Sequence, residues 1–196
     1  KDIFKSTSYS TVVTDRNGEL MGARIARDGQ WRFPPSDSVP QKFKIALIEF
    51  EDRWFAFHHG VNPVAIARAA IGNLKAGKVT SGGSTITMQV IRMSRGKERT
   101  IGQKLIEAIL ATRLELSYDK DEILALYASH APFGGNVVGL EAASWRYFGR
   151  PPEELSWGET ATLAVLPNSP SEIHPGKNRN SLLAKRNRLL RILLKD

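Results

Sequence analysis

From Gln41 to the end of the chain, apolar residues recur at helical spacing, and this pattern limits the fold more than any other feature. Asn62 and Pro63 supply a cap and a first-turn proline for a helix that ends near Gly77. The apolar stripe of this helix consists of Val64, Ala67, Ile71 and Leu74. Further helices are predicted over about 43–55, 85–92, 100–116, 119–128, 140–148, 156–166 and 181–195. We expect a mainly α domain in the size range of lysozyme-like folds.

The N-terminal part of the chain has strand character instead. The runs STVVTD and ELMGARIA flank Arg16-Asn17-Gly18, and an Asn-Gly turn between such runs predicts a β-hairpin. Pro34, Pro35 and Pro40 then interrupt any regular element, which indicates a linker. We therefore divide the chain into an N-terminal hairpin and linker over 1–40 and a helical domain over 41–196.

The balance of charge points to an anionic partner. The 196 residues include 28 Lys and Arg but 20 Asp and Glu, a net charge of +8. Nucleic acid, an acidic membrane surface and a phosphorylated substrate all fit this excess. No apolar run reaches the roughly eighteen residues of a membrane span, so none is expected within this sequence, which reads as a piece of a longer protein.

Glu51 is the first candidate for chemistry. In a helix over 43–55 its neighbours at three and four residues are Leu47, Ile48, Trp54 and Phe55, which sets a carboxylate on an apolar face. Such surroundings raise the pKa of a carboxyl group and suit it to proton transfer near neutral pH. The alternative is an edge residue whose stem packs while its carboxylate reaches water.

Glu107 is a second candidate, with the opposite surroundings. Lys104 lies three residues before it, which favours the ionised form, and two carboxyl groups in contrasting environments are typical of acid–base catalysis. A simple surface ion pair is the alternative.

Five cations precede or flank Glu107 along the chain: Arg92, Arg95, Lys97, Arg99 and Lys104. Together with free amides at the start of a helix capped by Ser84, they are suited to a phosphate or diphosphate. A solvated basic face and a nucleic-acid surface are the alternatives. Nucleic acid is disfavoured because the aromatic side chains gather at Trp54 and Phe57, beside acids and away from these cations.

The histidines do not form a metal-binding pattern. His58 and His59 are adjacent and lack a second pair of ligands at helical spacing, so hydrogen bonding is their expected role. No metal site is predicted from the chain itself.

Five stretches, taken in order, resemble one family. EDRWFAFHHG (51–60) matches EDxxFxxHxG without a gap, and GGSTITMQ (82–89) matches GxSTITQQ except for Met88. QKLIE (103–107) matches RKxxE except for Gln103, and KDEILALYAS (120–129) matches KxxILxxYLN except at its last two places. KRNRLL (185–190) approximates RxxxVL, with Lys185 for the arginine. The chain thus resembles the peptidoglycan glycosyltransferase domain, glycosyltransferase family 51, of class A penicillin-binding proteins, and is most similar to the 1C subgroup.

This resemblance implies a lysozyme-like glycosyltransferase fold and the polymerisation of lipid II into glycan strands with inversion at the anomeric carbon. It implies Glu51 as the general base and Glu107 as an assisting acid, with Lys104, Arg92 and Arg99 stabilising the diphosphate leaving group. Further substrate-binding residues implied by the matched motifs are Asp52, His58, Ser84, Thr85 and Gln89. No cofactor is expected to be required, and Mg²⁺ is expected, if at all, only at the diphosphate.

The resemblance also implies partners and a location. We expect lipid II, the growing glycan strand, other cell-wall synthesis proteins and the outer, periplasmic face of the bacterial inner membrane, but no nucleic acid. Val90, Ile91 and Met93 are the apolar residues expected to lie against the membrane. A lysozyme-like glycan hydrolase or lytic transglycosylase, and an inactive lipid II-binding scaffold, stay open as alternatives.

Overall fold

The computed structural model describes residues 3–5, 7–77, 83–97, 100–173 and 175–195. It is mainly α, as predicted, and within these ranges it contains eight α-helices and four short strands. The strands are β1 (Thr11–Thr14), β2 (Leu20–Arg24), β3 (Trp31–Arg32) and β4 (Val137–Val138). The helices are α1 (Gln41–Glu51), α2 (Pro63–Ala76), α3 (Ile86–Arg95), α4 (Ile101–Glu115), α5 (Lys120–His130), α6 (Leu140–Phe148), α7 (Trp157–Val165) and α8 (Arg179–Leu193).

The predicted N-terminal hairpin is confirmed. β1 and β2 pair antiparallel, with Thr11 opposite Arg24, and a bulge follows Val13. In the turn, the carboxylate of Asp15 accepts the amide of Asn17 at 2.8 Å, and Gly18 adopts φ +87°. Local turn chemistry therefore fixes this element, as the Asn-Gly signal indicated.

The segment that follows the hairpin packs onto the helices. β3 pairs in parallel with β4, which lies more than a hundred residues later, and Phe33 is buried. The ring of Phe4 stacks on His130 with 3.6 Å between ring centroids. Phe4, Phe33 and Val39 of the N-terminal segment therefore belong to the hydrophobic core that the helices form. A domain boundary at residue 40 stays a prediction.

Most helix starts follow the capping residues that the sequence offers. Asn62 Oδ1 accepts the amide of Ala65 at 2.9 Å, and capping boxes open α5 at Asp119 and α7 at Ser156. The predicted cap at Ser84 is wrong, because Thr85 caps α3 and accepts the amide of Met88 at 3.1 Å. The helix then begins at Ile86 and runs to Arg95, three residues beyond the predicted end.

The first helix is shorter than predicted. α1 ends at Glu51, and Asp52 leaves the helix with φ −159°. Phe55 begins a separate 3₁₀ turn that buries its ring, while Trp54 is 57% exposed. The predicted helical neighbourhood of Glu51 was therefore wrong on its C-terminal side, and other elements supply the burial of this carboxyl group.

The core lies between α1, α3, α5, α6 and α7, and Tyr127, Phe43, Phe133 and Leu47 are among its fully buried side chains. α1 packs on α7 and α8, whereas α3 packs on α4 and α5. This packing places the C-terminal end of α1 beside the start of α3.

One expectation about apolar surfaces is wrong. Val90 and Ile91 are buried in the core, and Met93 packs against it, so these residues do not form an outer face. In contrast, the predicted stripe of α2 faces outwards, with Leu74 87% and Val64 71% exposed. None of the helices within the described ranges has the length and apolar character needed to cross a membrane.

Candidate active site

A cavity of about 830 Å³ opens where the end of α1, the start of α3, α5 and α8 meet. Its walls include six of the residues predicted from the sequence or implied by the resemblance: Glu51, Asp52, Ser84, Thr85, Gln89 and Arg92. Residues separated by up to 41 positions in the sequence thus face one space, and the cavity is the natural place to look for chemistry.

Glu51 lies at the last position of α1, facing the cavity. Burial raises the pKa of its carboxyl group, against the opposing effects of a hydrogen bond from Gln89 and the positive charge of Arg92. Gln89 Nε2 donates to Oε2 at 2.8 Å. The other oxygen, Oε1, is buried and makes no hydrogen bond of full geometry to a described residue, although the Asn168 side chain also acts on the carboxyl group and lowers its pKa. Gln89 therefore positions one oxygen, and the second keeps capacity to accept a hydrogen bond.

The side chain of Asp52 connects the end of α1 to the start of α3. Its Oδ2 accepts hydrogen bonds from His58 Nε2 at 2.9 Å and from the amide of Ile86 at 3.2 Å. Ile86 lies in the first turn of α3, where amide groups have no partner within the helix. The Asp52 carboxylate therefore accepts a hydrogen bond from an amide that α3 leaves unpaired. Asp52 and His58 thus hold the segment that carries Glu51. His58 does not line the cavity, and its implied part in substrate binding stays a prediction.

A second connection joins the same two segments. Thr85 Oγ1 donates to the carbonyl oxygen of Gly60 at 2.7 Å. Gly60 has φ +85°, and a Cβ atom at this position would lie 2.5 Å from the carbonyl carbon of Ala111 in α4. The final glycine of the EDRWFAFHHG stretch therefore permits close contact between this loop and the backbone of α4.

Lys120 contacts the loop that follows α1. Its Nζ donates to the carbonyl oxygen of His58 at 2.7 Å and to Glu115 Oε2 at 2.6 Å, and it lies 4.3 Å from the centre of the Phe55 ring. Thr87 Oγ1 donates to the other oxygen of Glu115 at 2.5 Å. The charged groups are paired and hydrogen-bonded, as buried charges must be.

Cations surround the cavity on several sides. Arg92 lines it from α3, and the further lining cations are Arg53, Arg68 and Arg188. Lys185 of α8 donates to Asn168 Oδ1 at 2.8 Å, and the charge of this lysine also acts on Glu51. The site therefore combines one carboxyl group of raised pKa with several guanidinium groups, a combination suited to an anionic substrate.

The other described members of the predicted basic cluster do not line the cavity. Arg95 donates to Gln103 Oε1 at 3.0 Å, and Lys97 is exposed at the end of α3. Lys104 is not among the described residues that line the cavity. Arg99 lies outside the described residues, so its predicted role is not placed.

Glu107 does not join Glu51 at the cavity. It lies on α4 and is only 4% exposed, so the alternative of an exposed surface ion pair does not hold. The described residues that line the cavity do not include it. Its role as an assisting acid stays a prediction.

Several cavity residues were missed by the sequence analysis. Tyr127 falls inside a matched stretch but was not selected, and Asn168 lies in the segment LPNSPSEIHP. Lys185, which also lies in a matched stretch and was not selected, does not line the cavity, but its charge acts on Glu51. Arg68 lies on α2, where only the apolar stripe was considered. Tyr127 and Lys185 could have been selected from the sequence, because both lie inside matched motifs.

The comparisons with known proteins identify the family of the chain. The sequence profile described as Transglycosylase matches residues 17–194, so the chain belongs to the transglycosylase family. This confirms the class predicted from the five motifs, the peptidoglycan glycosyltransferase domain of class A penicillin-binding proteins.

Individual relatives agree. Penicillin-binding protein 1C of Escherichia coli (strain K12) is 44% identical over 180 residues, which covers 91% of this chain and 23% of that protein. Penicillin-binding protein 1A of Aquifex aeolicus (strain VF5) is 40% identical, covering 95% of this chain and 26% of the relative. Penicillin-binding protein 1A of Pseudomonas aeruginosa (strain PAO1) is 37% identical, covering 98% and 25%. The chain thus spans about a quarter of the length of these relatives.

Proposed function

We propose that this chain polymerises lipid II into glycan strands and that Glu51 is the general base. The observation that carries the proposal is the Glu51 carboxyl group itself, which has a pKa raised by burial and lies in the wall of a cavity that four arginines also line. A base needs a raised pKa and an acceptor oxygen that the protein does not fully use, and Glu51 Oε1 makes no hydrogen bond of full geometry to a described residue.

In the proposed step, the 4-hydroxyl of the acceptor sugar transfers its proton to Glu51 Oε1. The hydroxyl oxygen forms a bond to the anomeric carbon of the donor as the bond from this carbon to the diphosphate breaks. The electron pair leaves on the diphosphate, and a single displacement inverts the anomeric centre. Gln89 keeps the carboxylate oriented through its hydrogen bond of 2.8 Å.

The departing diphosphate requires positive charge more than it requires a proton. Arg92 lines the cavity beside Glu51 and is placed to stabilise this charge. We keep Lys104, Arg99 and Glu107 as proposed further contributors on the strength of the motif resemblance. The described residues contain no group of three metal-ligating side chains, so we derive no step through a metal. A Mg²⁺ ion held by the diphosphate itself is tested by adding EDTA to the polymerisation assay.

The cations of the cavity separate this proposal from a glycan hydrolase or lytic transglycosylase. A glycan strand without phosphate offers no phosphate charge for Arg92, Arg68 and Arg188 to bind in the cavity that contains Glu51. Incubation with lipid II and, in parallel, with purified glycan strands distinguishes the reactions. Polymer formation supports the proposal, whereas strand shortening would support hydrolysis.

Glu51→Gln tests the role of the base. The variant keeps the size of the side chain and removes its ability to accept a proton, so we expect polymerisation to be lost while the fold is retained. Glu141→Gln is the matched control, because burial also raises the pKa of Glu141, yet this residue lies outside the cavity walls and bonds to Trp145. The control is expected to retain wild-type activity, and full activity in Glu51→Gln would support the inactive-scaffold alternative or another base.

We also propose that the exposed apolar faces of α2 and α4 contact an anionic membrane surface, since the substrate is lipid-linked and the chain is basic. The most exposed residues there include Leu74 at 87% and Ile109 at 70%. Co-sedimentation with anionic liposomes is expected to fall for Leu74→Glu combined with Ile109→Glu. Met21→Glu, at a residue that is 73% exposed on the hairpin, is the control. Equal binding by all three proteins would contradict the proposal.

A further inference from the structure

The proposed reaction does not use the hydroxyl group of Tyr127. Tyr127 lies on α5 and is 0% exposed, and it forms part of the cavity wall. Its Oη has no hydrogen-bond partner among the described residues. A buried hydroxyl group that the protein does not satisfy is costly, so an unpaired one at a cavity wall indicates a group that pairs with a bound molecule.

The charge state of Tyr127 defines what it can offer. Burial raises the pKa of its phenol well above the ordinary value, and the negative charge of Glu51 acts in the same direction. The group therefore keeps its proton near neutral pH. A neutral phenol donates one hydrogen bond and accepts weakly, so its natural partner is an oxygen atom of the ligand.

The position of Tyr127 beside Glu51 favours a sugar oxygen over a phosphate oxygen. Among the charges that act on Tyr127, Glu51 has the largest effect and Arg92 the next. A diphosphate held against Tyr127 would approach the carboxylate of Glu51 and be repelled by it, whereas a neutral hydroxyl or ring oxygen would not. The diphosphate fits better towards Arg92.

We infer that Tyr127 is a substrate-positioning residue, whose hydroxyl donates a hydrogen bond to an oxygen of the sugar that faces Glu51. The inference rests on the proposed function. Tyr127 takes no part in the proton transfer and keeps its own proton throughout. Its contribution is to orient the sugar so that the reacting hydroxyl lies against Oε1 of Glu51.

Tyr127→Phe removes only the hydroxyl group and keeps the buried ring. Because this hydroxyl has no protein partner, the thermal midpoint is expected to stay the same or rise. The affinity for a water-soluble lipid II analogue, measured by isothermal titration calorimetry, is expected to fall about 5- to 20-fold. With lipid II, kcat/KM is expected to fall at least as much, and the acid limb of its pH profile is expected to stay in place.

Tyr147→Phe is the matched control. Tyr147 also has a pKa raised by burial, but its hydroxyl donates to the carbonyl oxygens of Phe133 at 3.0 Å and Gly134 at 3.2 Å. Loss of these bonds should lower the thermal midpoint while leaving the affinity of the folded protein unchanged. Tyr127→Phe should therefore lose affinity without losing stability, whereas Tyr147→Phe should lose stability without losing affinity.

Three results would overturn the inference: an unchanged affinity in Tyr127→Phe, a loss of affinity that follows a loss of stability, or a shifted acid limb. The last would mean that Tyr127 acts on Glu51 and not on the sugar. Failure of the proposed function is recognised separately, since a wild-type protein that binds the analogue but forms no polymer refutes turnover and still allows the affinity comparison to decide the role of Tyr127.

Discussion

Replacement of Gly60 by alanine tests the close contact between the loop that follows α1 and the backbone of α4. At φ +85° an alanine costs about 1–2 kcal/mol relative to glycine. Its Cβ would also lie 2.5 Å from the carbonyl carbon and 2.6 Å from the carbonyl oxygen of Ala111, so the helix backbone has to move. Such overpacking adds about 1–3 kcal/mol, which gives a total loss of about 2–5 kcal/mol in the free energy of unfolding.

Urea denaturation followed by tryptophan fluorescence measures this loss, and the thermal midpoint should fall by about 4–20 °C. Gly18→Ala is the matched control, because Gly18 has φ +87° but no atom within 4 Å of the added Cβ. Only the backbone cost of about 1–2 kcal/mol applies there. Equal losses in Gly60→Ala and Gly18→Ala would refute the steric argument and leave only the backbone conformation as the reason for glycine.

Three further predictions concern charged groups. The pKa of Glu51 is raised above 4.5, so the kcat/KM of polymerisation should decline on acidification at a pH above 4.5, as the base becomes protonated. The folded protein also holds the Glu51 proton more tightly than the unfolded chain does, so stability is lost as the pH rises through the folded pKa. Glu51→Gln should therefore have a larger free energy of unfolding than wild type at pH 7. This difference should disappear below pH 4.5, where the carboxyl group is protonated in both states. Lys120→Met should lower the free energy of unfolding by about 3–5 kcal/mol, because it leaves the buried carboxylate of Glu115 without its cation. Lys44→Met, at a pair whose acid is 74% exposed, should cost less than about 1 kcal/mol in the same denaturation experiment, and similar losses for the two lysines would contradict this distinction.

Much of the fold was predictable because its signals are local. The cap at Asn62, the capping boxes at Asp119 and Ser156 and the turn at Gly18 each depend on residues within four positions of one another. Such interactions can be read from spacing alone. The error at Ser84 shows that a predicted cap can be displaced by one residue, because Thr85 offers the same capping chemistry and caps α3 in the structure.

The direction of the pKa shift of Glu51 could be predicted from the sequence, but the residues that cause it could not. The sequence indicated a buried carboxyl group with a raised pKa, but attributed it to helical neighbours that include Trp54, which is in fact 57% exposed. The burial comes from elements distant in sequence, which also bring Gln89 and Tyr127 to the cavity. No periodicity encodes such contacts.

Pairing between distant segments escaped prediction for the same reason. β3 and β4 are two residues long, and nothing in Trp31–Arg32 identifies Val137–Val138 as its partner. The outward orientation of the α2 stripe is a different case. Apolar spacing shows that one face differs from the other, but it does not show whether that face meets the core or something outside the chain.

The bonds from Gln89 to Glu51 and from the Ile86 amide to Asp52 join the start of α3 to the end of α1, and the bond from Thr85 to Gly60 joins it to the loop that follows. The geometry around the base is therefore settled when the chain folds and does not have to be assembled by each substrate. In the proposed polymerisation, the product of one cycle is the reactant of the next. Each addition to the strand would then meet the same arrangement of atoms at Glu51, whatever the length that the strand has reached.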